Sequence, residues 1–323
     1  MPLIYQDMKR KKIKVGVVGI GHLGNYHLQK YQKIESSEII AVADMFPDRA
    51  QKAANLYQCS YFEDYRAMIG KVDAVSIAVP TSDHYKVARD FLTAGVDVLI
   101  EKPICATLDE ADDLISLAEK KKLVLQVGFV ERFNPAIMAV DKVIQKPLFI
   151  ESHRLHPFFE RGTDVDVILD LMIHDLDIVV KFVNSPVTAV EAVGVPILSD
   201  KIDIANTRIS FSSGCTANIT ASRISAKTMQ KMRFFSPEGY HSVDCQKREI
   251  LSLSKIKNEA GQQIVQNNIE VGSHDPLEEE IRSFIEAVIH RSQPVVSGED
   301  ARKSLALAVE ILRKIKIAED MLK

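Results

Sequence analysis

The stretch that most constrains this chain is Ile13 to Tyr26, I-K-V-G-V-V-G-I-G-H-L-G-N-Y, an apolar run that breaks into three spaced glycines, Gly19, Gly21 and Gly24. Such a run ending in G-x-G-x-x-G reads as a buried parallel strand that turns directly into a helix. The chemistry of a dinucleotide site explains the glycines. The first permits a tight turn, the second lets backbone approach a pyrophosphate, and the third lets the helix pack on the strand. The helix N-terminus, with His22 and Leu23 at its start, then attracts the phosphate charge. The same glycines also suit an ordinary strand-to-helix turn, so the order of the elements downstream decides.

From Ile13 to about Gly128 short apolar runs alternate with amphipathic helical stretches, the pattern of a doubly wound parallel sheet. On the first helix, Leu23, His27, Tyr31 and Ile34 share one face, which makes His27 a core-facing histidine rather than a ligand. A second strand, Glu38 to Ala43, ends at Asp44, 25 positions after Gly19, where a dinucleotide fold places the acid that binds the adenosine ribose hydroxyls. That position favours Asp44 as a cofactor ligand over a helix cap, and NAD over NADP. Strands over Ala74–Val79 and Val96–Ile100 each end in a polar cluster, Pro80-Thr81-Ser82-Asp83-His84 and Glu101-Lys102-Pro103. Ligands of such sheets bind outside the carboxyl ends of the strands, so Pro80, Thr81, His84, Glu101 and Lys102 would line the crevice of the glycine loop. By spacing alone, Lys102 is equally a solvated surface lysine. A further helix, Leu108 to Lys121, and strand, Leu123 to Val127, complete a six-stranded sheet.

Composition excludes several classes. A length of 323 residues suggests two domains, and 46% apolar with 26% charged residues is ordinary for a globular protein. A net charge of -3 gives no basic field for nucleic acid. Cys59, Cys105, Cys215 and Cys245 stand far apart without metal-ligand spacing, which argues against zinc and against a disulfide framework. No run reaches the roughly 18 apolar residues of a membrane span, and the N-terminus lacks the apolar core of a signal peptide, so a cytoplasmic location is expected.

G-I-G-H-L-G at 19–24, Asp44, V-D-A-V-S-I-A-V-P-T-S-D-H at 72–84 and above all Glu101-Lys102-Pro103 resemble the Gfo/Idh/MocA family, and Ser297-Gly298-Glu299-Asp300 before the last helix also fits. The resemblance implies a nicotinamide-dependent dehydrogenase of sugars, cyclitols or nucleotide sugars. It implies a fold of class α/β: an N-terminal Rossmann domain over 1–128, and a substrate-binding and oligomerisation domain over 129–323. It further implies a homodimer or homotetramer built on the second domain's sheet.

Beyond Pro147 the texture agrees with a largely antiparallel open sheet: two-residue alternation over Phe149–Leu155, Val187–Val195, Ala205–Ser212, Cys215–Ser222, Lys231–Ser236 and Ile250–Ser254. Two helices close the chain, about Pro276 to Arg291 and Glu299 to Met321, the last of which could pack back on the first domain. Between these strands lies one long apolar helix, Val165 to Val183. At 100° per residue Thr163, Asp166, Asp170, His174, Asp177 and Lys181 fall in one arc of about 80°. The stripe fits a buried helix facing a cavity or a surface helix with a narrow wet edge. No further ligand cluster completes a metal set.

Asp170 and His174 match the D-x-x-x-H element of the family, whose aspartate and histidine stand over the substrate with the E-K-P lysine. Alcohol oxidation needs a base near working pH, so the resemblance implies His174 as general base, Asp170 as its orienting partner and Lys102 as the electrostatic partner of the reacting hydroxyl. The segment from Glu151-Ser152-His153-Arg154-Leu155-His156 through Arg161-Gly162-Thr163-Asp164-Val165-Asp166 to the helix resembles the branch that oxidises C3 of UDP-N-acetylglucosamine ahead of an aminotransferase in lipid A synthesis. Arg132, Arg154, His156, Arg161 and Asp166 are then substrate-binding candidates, and Arg223, Lys227 and Lys231 could also meet a diphosphate. An inositol or free-sugar dehydrogenase is the alternative activity, and a non-catalytic NAD- or sugar-binding regulator the alternative class.

Overall fold

The computed structural model describes residues 12–158, 165–258 and 261–321. The chain divides into two compact units, Met1–Gly128 with Leu277–Gly298, and Phe129–Pro276 with Glu299–Lys323. The helix that rejoins the first unit is therefore the penultimate one, whereas the last helix, expected to pack back, belongs to the second.

In the first unit the elements run β1 (Ile13–Val18), α1 (His22–Tyr31), β2 (Ser37–Ala43), α2 (Pro47–Tyr57), β3 (Ser60–Phe62), β4 (Ala74–Ile77), α3 (Thr81–Thr93), β5 (Asp97–Glu101), α4 (Leu108–Lys121) and β6 (Leu125–Gly128). The strands pair in parallel in the order β3-β2-β1-β4-β5-β6. That is the doubly wound Rossmann order, whose direction reverses between β1 and β4. The sixth strand, β3, has three residues, too few to show a period. Local chemistry sets the helix starts: Pro47 opens α2, and a reciprocal capping box between Thr107 and Glu110 opens α4.

The second unit holds α5 (Pro135–Val140), β7 (Phe149–Leu155), a π-helical turn (Ile168–Met172) that runs into α6 (Ile173–Val183), and then β8 (Val187–Val195), β9 (Ile204–Phe211), β10 (Thr216–Ser222), β11 (Met229–Phe235), β12 (Gly239–Asp244), β13 (Glu249–Asn258) and β14 (Gly261–Asn267). These strands form one sheet, β14-β13-β12-β11-β7-β10-β9-β8, antiparallel except for the β7–β10 pair. Strands β12 and β14 were not anticipated. Gly239 opens the one, and polar Gln and Asn fill the other, so neither shows the apolar alternation that marks β7. One face of the sheet supplies Ile150, Ile209, Ala217 and Ile219 to a core completed by Ile168, Met172 and Leu176.

Two helices close the chain, α7 (Pro276–His290) and α8 (Gly298–Met321). Ile281, Phe284, Ile285 and Val288 of α7 join Val15, Val17, Leu28, Tyr31 and Ile34 in the first unit's core. Arg291 holds Asp97 at 2.7 and 2.8 Å, and Gln126 Nε2 donates to the Glu280 carbonyl at 3.0 Å. Among the described residues no helix is long and apolar enough to cross a membrane. All four thiols are free, with Cys105, Cys215 and Cys245 buried.

Candidate active site

The first unit's site begins at the glycine turn. Gly19 adopts φ +87°, and a Cβ there would lie 2.7 Å from the Ala78 carbonyl, so β4 closes against the turn only because the residue is glycine. A Cβ on Gly24 would meet the Gly19 carbonyl oxygen at 1.9 Å, whereas one on Gly21 would meet nothing within 4 Å. Gly21 thus faces open space, the room that a close-lying pyrophosphate needs. It also N-caps α1 with no side-chain hydrogen bond, which leaves the first N–H groups of that helix available to phosphate.

Asp44 organises the other wall. Its Oδ2 accepts from Ile20 N at 2.6 Å and its Oδ1 from Phe46 N at 2.8 Å, tying the glycine turn to the exit of β2. Around them opens a cleft of about 550 Å³ lined by Gly19, Gly21, Asp44, Phe46, Arg49 and Pro80, at the point where the strand order reverses. Volume, unfilled glycine face, uncapped helix and carboxylate together fit NAD. His22 and Leu23 stand exposed at the start of α1, so Leu23, 42% exposed, departs from the buried face of His27, Tyr31 and Ile34 expected of it. Thr81 opens α3 behind Pro80, which bears no side-chain cap. His84 is buried, with its ring nitrogens 2.8 and 3.0 Å from the carbonyls of Pro103 and Val79. It therefore braces the exits of β4 and β5.

Glu101 ends β5 and Lys102 follows, half-buried, before a cis peptide to Pro103. Glu101 Oε1 meets His27 Nε2 at 2.9 Å. His27 is fully buried, as its face of α1 predicts, and it is also a polar partner of the E-K-P segment.

In the second unit the polar stripe resolves into two kinds of residue. The π turn at Ile168–Met172 inserts extra backbone into the helix, so the 100° step on which the single arc rests does not hold across it. Asp170 lies within that turn and His174 just beyond it, both half-buried, with the Phe129 ring edge-on to His174 at 6.1 Å between centroids. Such turns are frequent at functional sites. Asp166 instead accepts from Ile202 N at 2.9 Å and anchors the helix entry. Asp177 is buried against Arg132 Nε and Nη2 and accepts from the Ser304 hydroxyl. Thr163 and Arg161 lie outside the described residues.

The arginines expected to meet a diphosphate are engaged elsewhere. Arg154 projects from β7 onto Asp175 (Nη2–Oδ1 2.9 Å) and Glu131 (Nη1–Oε1 3.0 Å), with its side chain 6% exposed. Burial works against charge on Arg154, but Asp175 and then Glu131 more than offset it, and the guanidinium pKa is raised. Arg223 is wholly buried on Asp203 and the Val165 carbonyl. Arg132, Arg154 and Arg223, expected to meet a diphosphate, each neutralise an interior carboxylate, whose charge would otherwise stand uncompensated. His156, whose Nδ1 lies 2.6 Å from the Pro157 carbonyl, is half-buried at the end of β7. Sequence reasoning passed over Asp175 and Glu131. Asp175 lies in L-M-I-H-D-L-D between His174 and Asp177, and a charge inside so apolar a run is the signal that it has a buried partner.

Comparison with known proteins supports both units. A family model described as "Oxidoreductase family, NAD-binding Rossmann fold" matches residues 13–129. UDP-N-acetylglucosamine 3-dehydrogenase of Acidithiobacillus ferrooxidans is 35% identical over 93% of this chain and 96% of its own length. A solved structure of that enzyme, GnnA, superposes with a TM-score of 0.89 over 95% of this chain and 98% of the other. Myo-inositol 2-dehydrogenase of Thermotoga maritima is 24% identical over 95% of this chain and 99% of its own. Scyllo-inositol dehydrogenase of Lactobacillus casei, solved with NAD(H) and scyllo-inositol, shares the fold at 20% identity, with a TM-score of 0.77 over 95% and 98% of the two chains.

Proposed function

This chain belongs to the Gfo/Idh/MocA oxidoreductase family with its NAD-binding Rossmann fold, and from that premise we propose that it oxidises the C3 hydroxyl of UDP-N-acetylglucosamine to the 3-keto sugar. The observation that carries the substrate is the 35% identity, spread over 93% of the chain, to an enzyme named for that reaction. Inositol dehydrogenases that match over nearly the whole chain stand further off at 24–25% identity, and those at 30–31% match only about half of it.

Bound NAD supplies the hydride acceptor, and the chain supplies placement and proton chemistry. His174 takes the proton of the reacting hydroxyl, since an imidazole titrates nearest working pH. Asp170, in the π turn before it, fixes the ring's tautomer and orientation. The Lys102 ammonium hydrogen-bonds the same oxygen and stabilises the alkoxide charge that grows as hydride leaves. The uridine diphosphate lends remote binding energy to that alignment, with His156, Arg161, Lys227 and Lys231 as its candidate contacts. We also assign the open sheet of the second unit to a homodimer or homotetramer, and an aminotransferase to the removal of the ketone product.

The test is NAD reduction with UDP-N-acetylglucosamine, N-acetylglucosamine and myo-inositol, each with and without an aminotransferase and amino donor to remove ketone. The nucleotide sugar is expected to turn over far better than the free sugar, with a gain on product removal. Ready oxidation of myo-inositol with none of UDP-sugars sinks the reading.

A further inference from the structure

The interior of the first unit holds a cluster for which the hydride transfer itself has no use. Glu280 of α7 is 0% exposed, and neither of its carboxyl oxygens has a hydrogen-bond partner among the described residues. His27, also 0% exposed, is satisfied at Nε2 by Glu101 but has no such partner at Nδ1. One ligand atom from each of His27, Glu101 and Glu280 lies within 4.8 Å of the other two. Beside them Gln126 donates to the Glu280 backbone and leaves its own Oε1 unsatisfied. Native interiors pair nearly all such atoms, so this many orphans in one place call for a reason.

Charge arithmetic supplies one. Two carboxylates this close in a buried site cannot both ionise unless each has a cation against it, and neither oxygen of Glu280 is bonded to one among the described residues. Glu101 has the better claim to the negative charge. It accepts from His27 at 2.9 Å and precedes Lys102, and these neighbours outweigh the effect of burial and lower its pKa. Glu280 has no such help: burial first, and then the charge on Glu101, push its carboxyl well above the usual range. The other titratable groups around the cluster are Tyr31 of α1, whose hydroxyl is held by Ser76 at 2.7 Å, and His84 of α3, whose ring is held by two carbonyls. Neither bonds to Glu280.

We propose that Glu280 is a positioning residue for the oxidation, keeping one proton in this cluster so that Glu101 remains an anion fixed between His27 and Lys102 and holds the Lys102 segment in its working attitude. The cluster is then neutral outside the Glu101–His27 pair, and α7 contributes to the chemistry through β5. The inference rests on the catalytic role given to Lys102.

The experiment is infrared difference spectroscopy of the full chain with NAD at neutral pH, wild type against Glu280→Gln, paired with steady-state kinetics of Glu280→Gln and Glu280→Leu. The carbonyl stretch of a protonated carboxylic acid is expected in the wild type and absent from Glu280→Gln. Leucine should lower kcat between about tenfold and a hundredfold, as a displaced catalytic group does, while KM for NAD moves less than about threefold. Glutamine, which keeps shape and a donor, should restore kcat to within about threefold of wild type. The proposal is overturned if the acid band is missing or survives Glu280→Gln, or if glutamine is as damaging as leucine. It is equally overturned if the purified protein carries one equivalent of divalent metal that Glu280→Gln loses, which would make the cluster a cation site. The infrared arm needs no turnover, so inactivity toward UDP-N-acetylglucosamine would fell the substrate reading and leave this one standing.

Discussion

Arg154→Met separates a structural arginine from a substrate-binding one. Methionine preserves much of the apolar stem in β7 but leaves Asp175 and Glu131, whose side chains are 2% and 13% exposed, facing each other with no cation. Breaking a buried pair by removing one partner costs about 3–5 kcal/mol, because the remaining charge stays in the interior. For a unit of 150–250 residues each kcal/mol is worth roughly 2–4 °C, so the second unit should melt roughly 6–20 °C lower. Adding Asp175→Asn should return part of that loss, because it removes the stranded charge. The measurements are urea and thermal unfolding of the three proteins, with kcat/KM for UDP-N-acetylglucosamine and for N-acetylglucosamine taken well below the melting range. The preference for the nucleotide sugar should stay within about threefold of wild type. Unchanged unfolding together with a tenfold or greater rise in KM for the UDP-sugar alone would refute the reasoning and return Arg154 to the diphosphate.

His174→Asn should lower kcat on the order of a hundredfold or more with NAD affinity nearly unchanged, and near-normal turnover would strip His174 of its role. Asp44→Ser removes the acceptor for Ile20 N and Phe46 N and a carboxylate suited to ribose hydroxyls. It should weaken NAD roughly tenfold and narrow the preference over NADP, and calorimetry showing an unchanged ratio would count against it. Asp203 offers a pH test. Burial opposes its charge, but Arg223 and the N–H groups of Ile197 and Leu198 outweigh burial and hold its pKa below the ordinary carboxylate value. A depressed folded pKa stabilises above the unfolded value and is lost as pH falls through the folded one. Asp203→Asn should therefore be less stable at pH 7, with the gap to wild type closing below about pH 4; a gap independent of pH would contradict this.

What was legible in the sequence was what is local. The glycine turn, Asp44 and the strand exits at Pro80 and Glu101 are set by a few consecutive residues, and β1, β2, β4, β5 and β6 were placed to within two residues at nearly every end. What escaped was set by distant partners or by broken periodicity. The partner of Arg154 lies 21 positions away, that of Arg132 lies 45, and Glu280 reaches a cluster whose other members precede it by well over a hundred. The π turn at Ile168–Met172 carries no composition signal, yet it breaks the 100° step on which the stripe was read, with Asp170 half-buried inside it and Asp177 beyond it in an ion pair with Arg132.

The interruption of the first unit has a consequence during synthesis. Leu277–Gly298 completes a core whose other walls emerge from the ribosome with Met1–Gly128, and residues 129–276 are translated in between. At about 5–20 residues per second those 148 residues take roughly 7–30 s. For that interval Leu28, Tyr31 and Ile34 wait without Phe284, Ile285 and Val288, the members of their cluster that arrive last. The nascent chain thus presents a sticky surface to chaperones until 277–298 has emerged. A fragment cut at Gly128 would keep that surface for good, so a free-standing nucleotide-binding module from this protein would need 277–298 grafted back on.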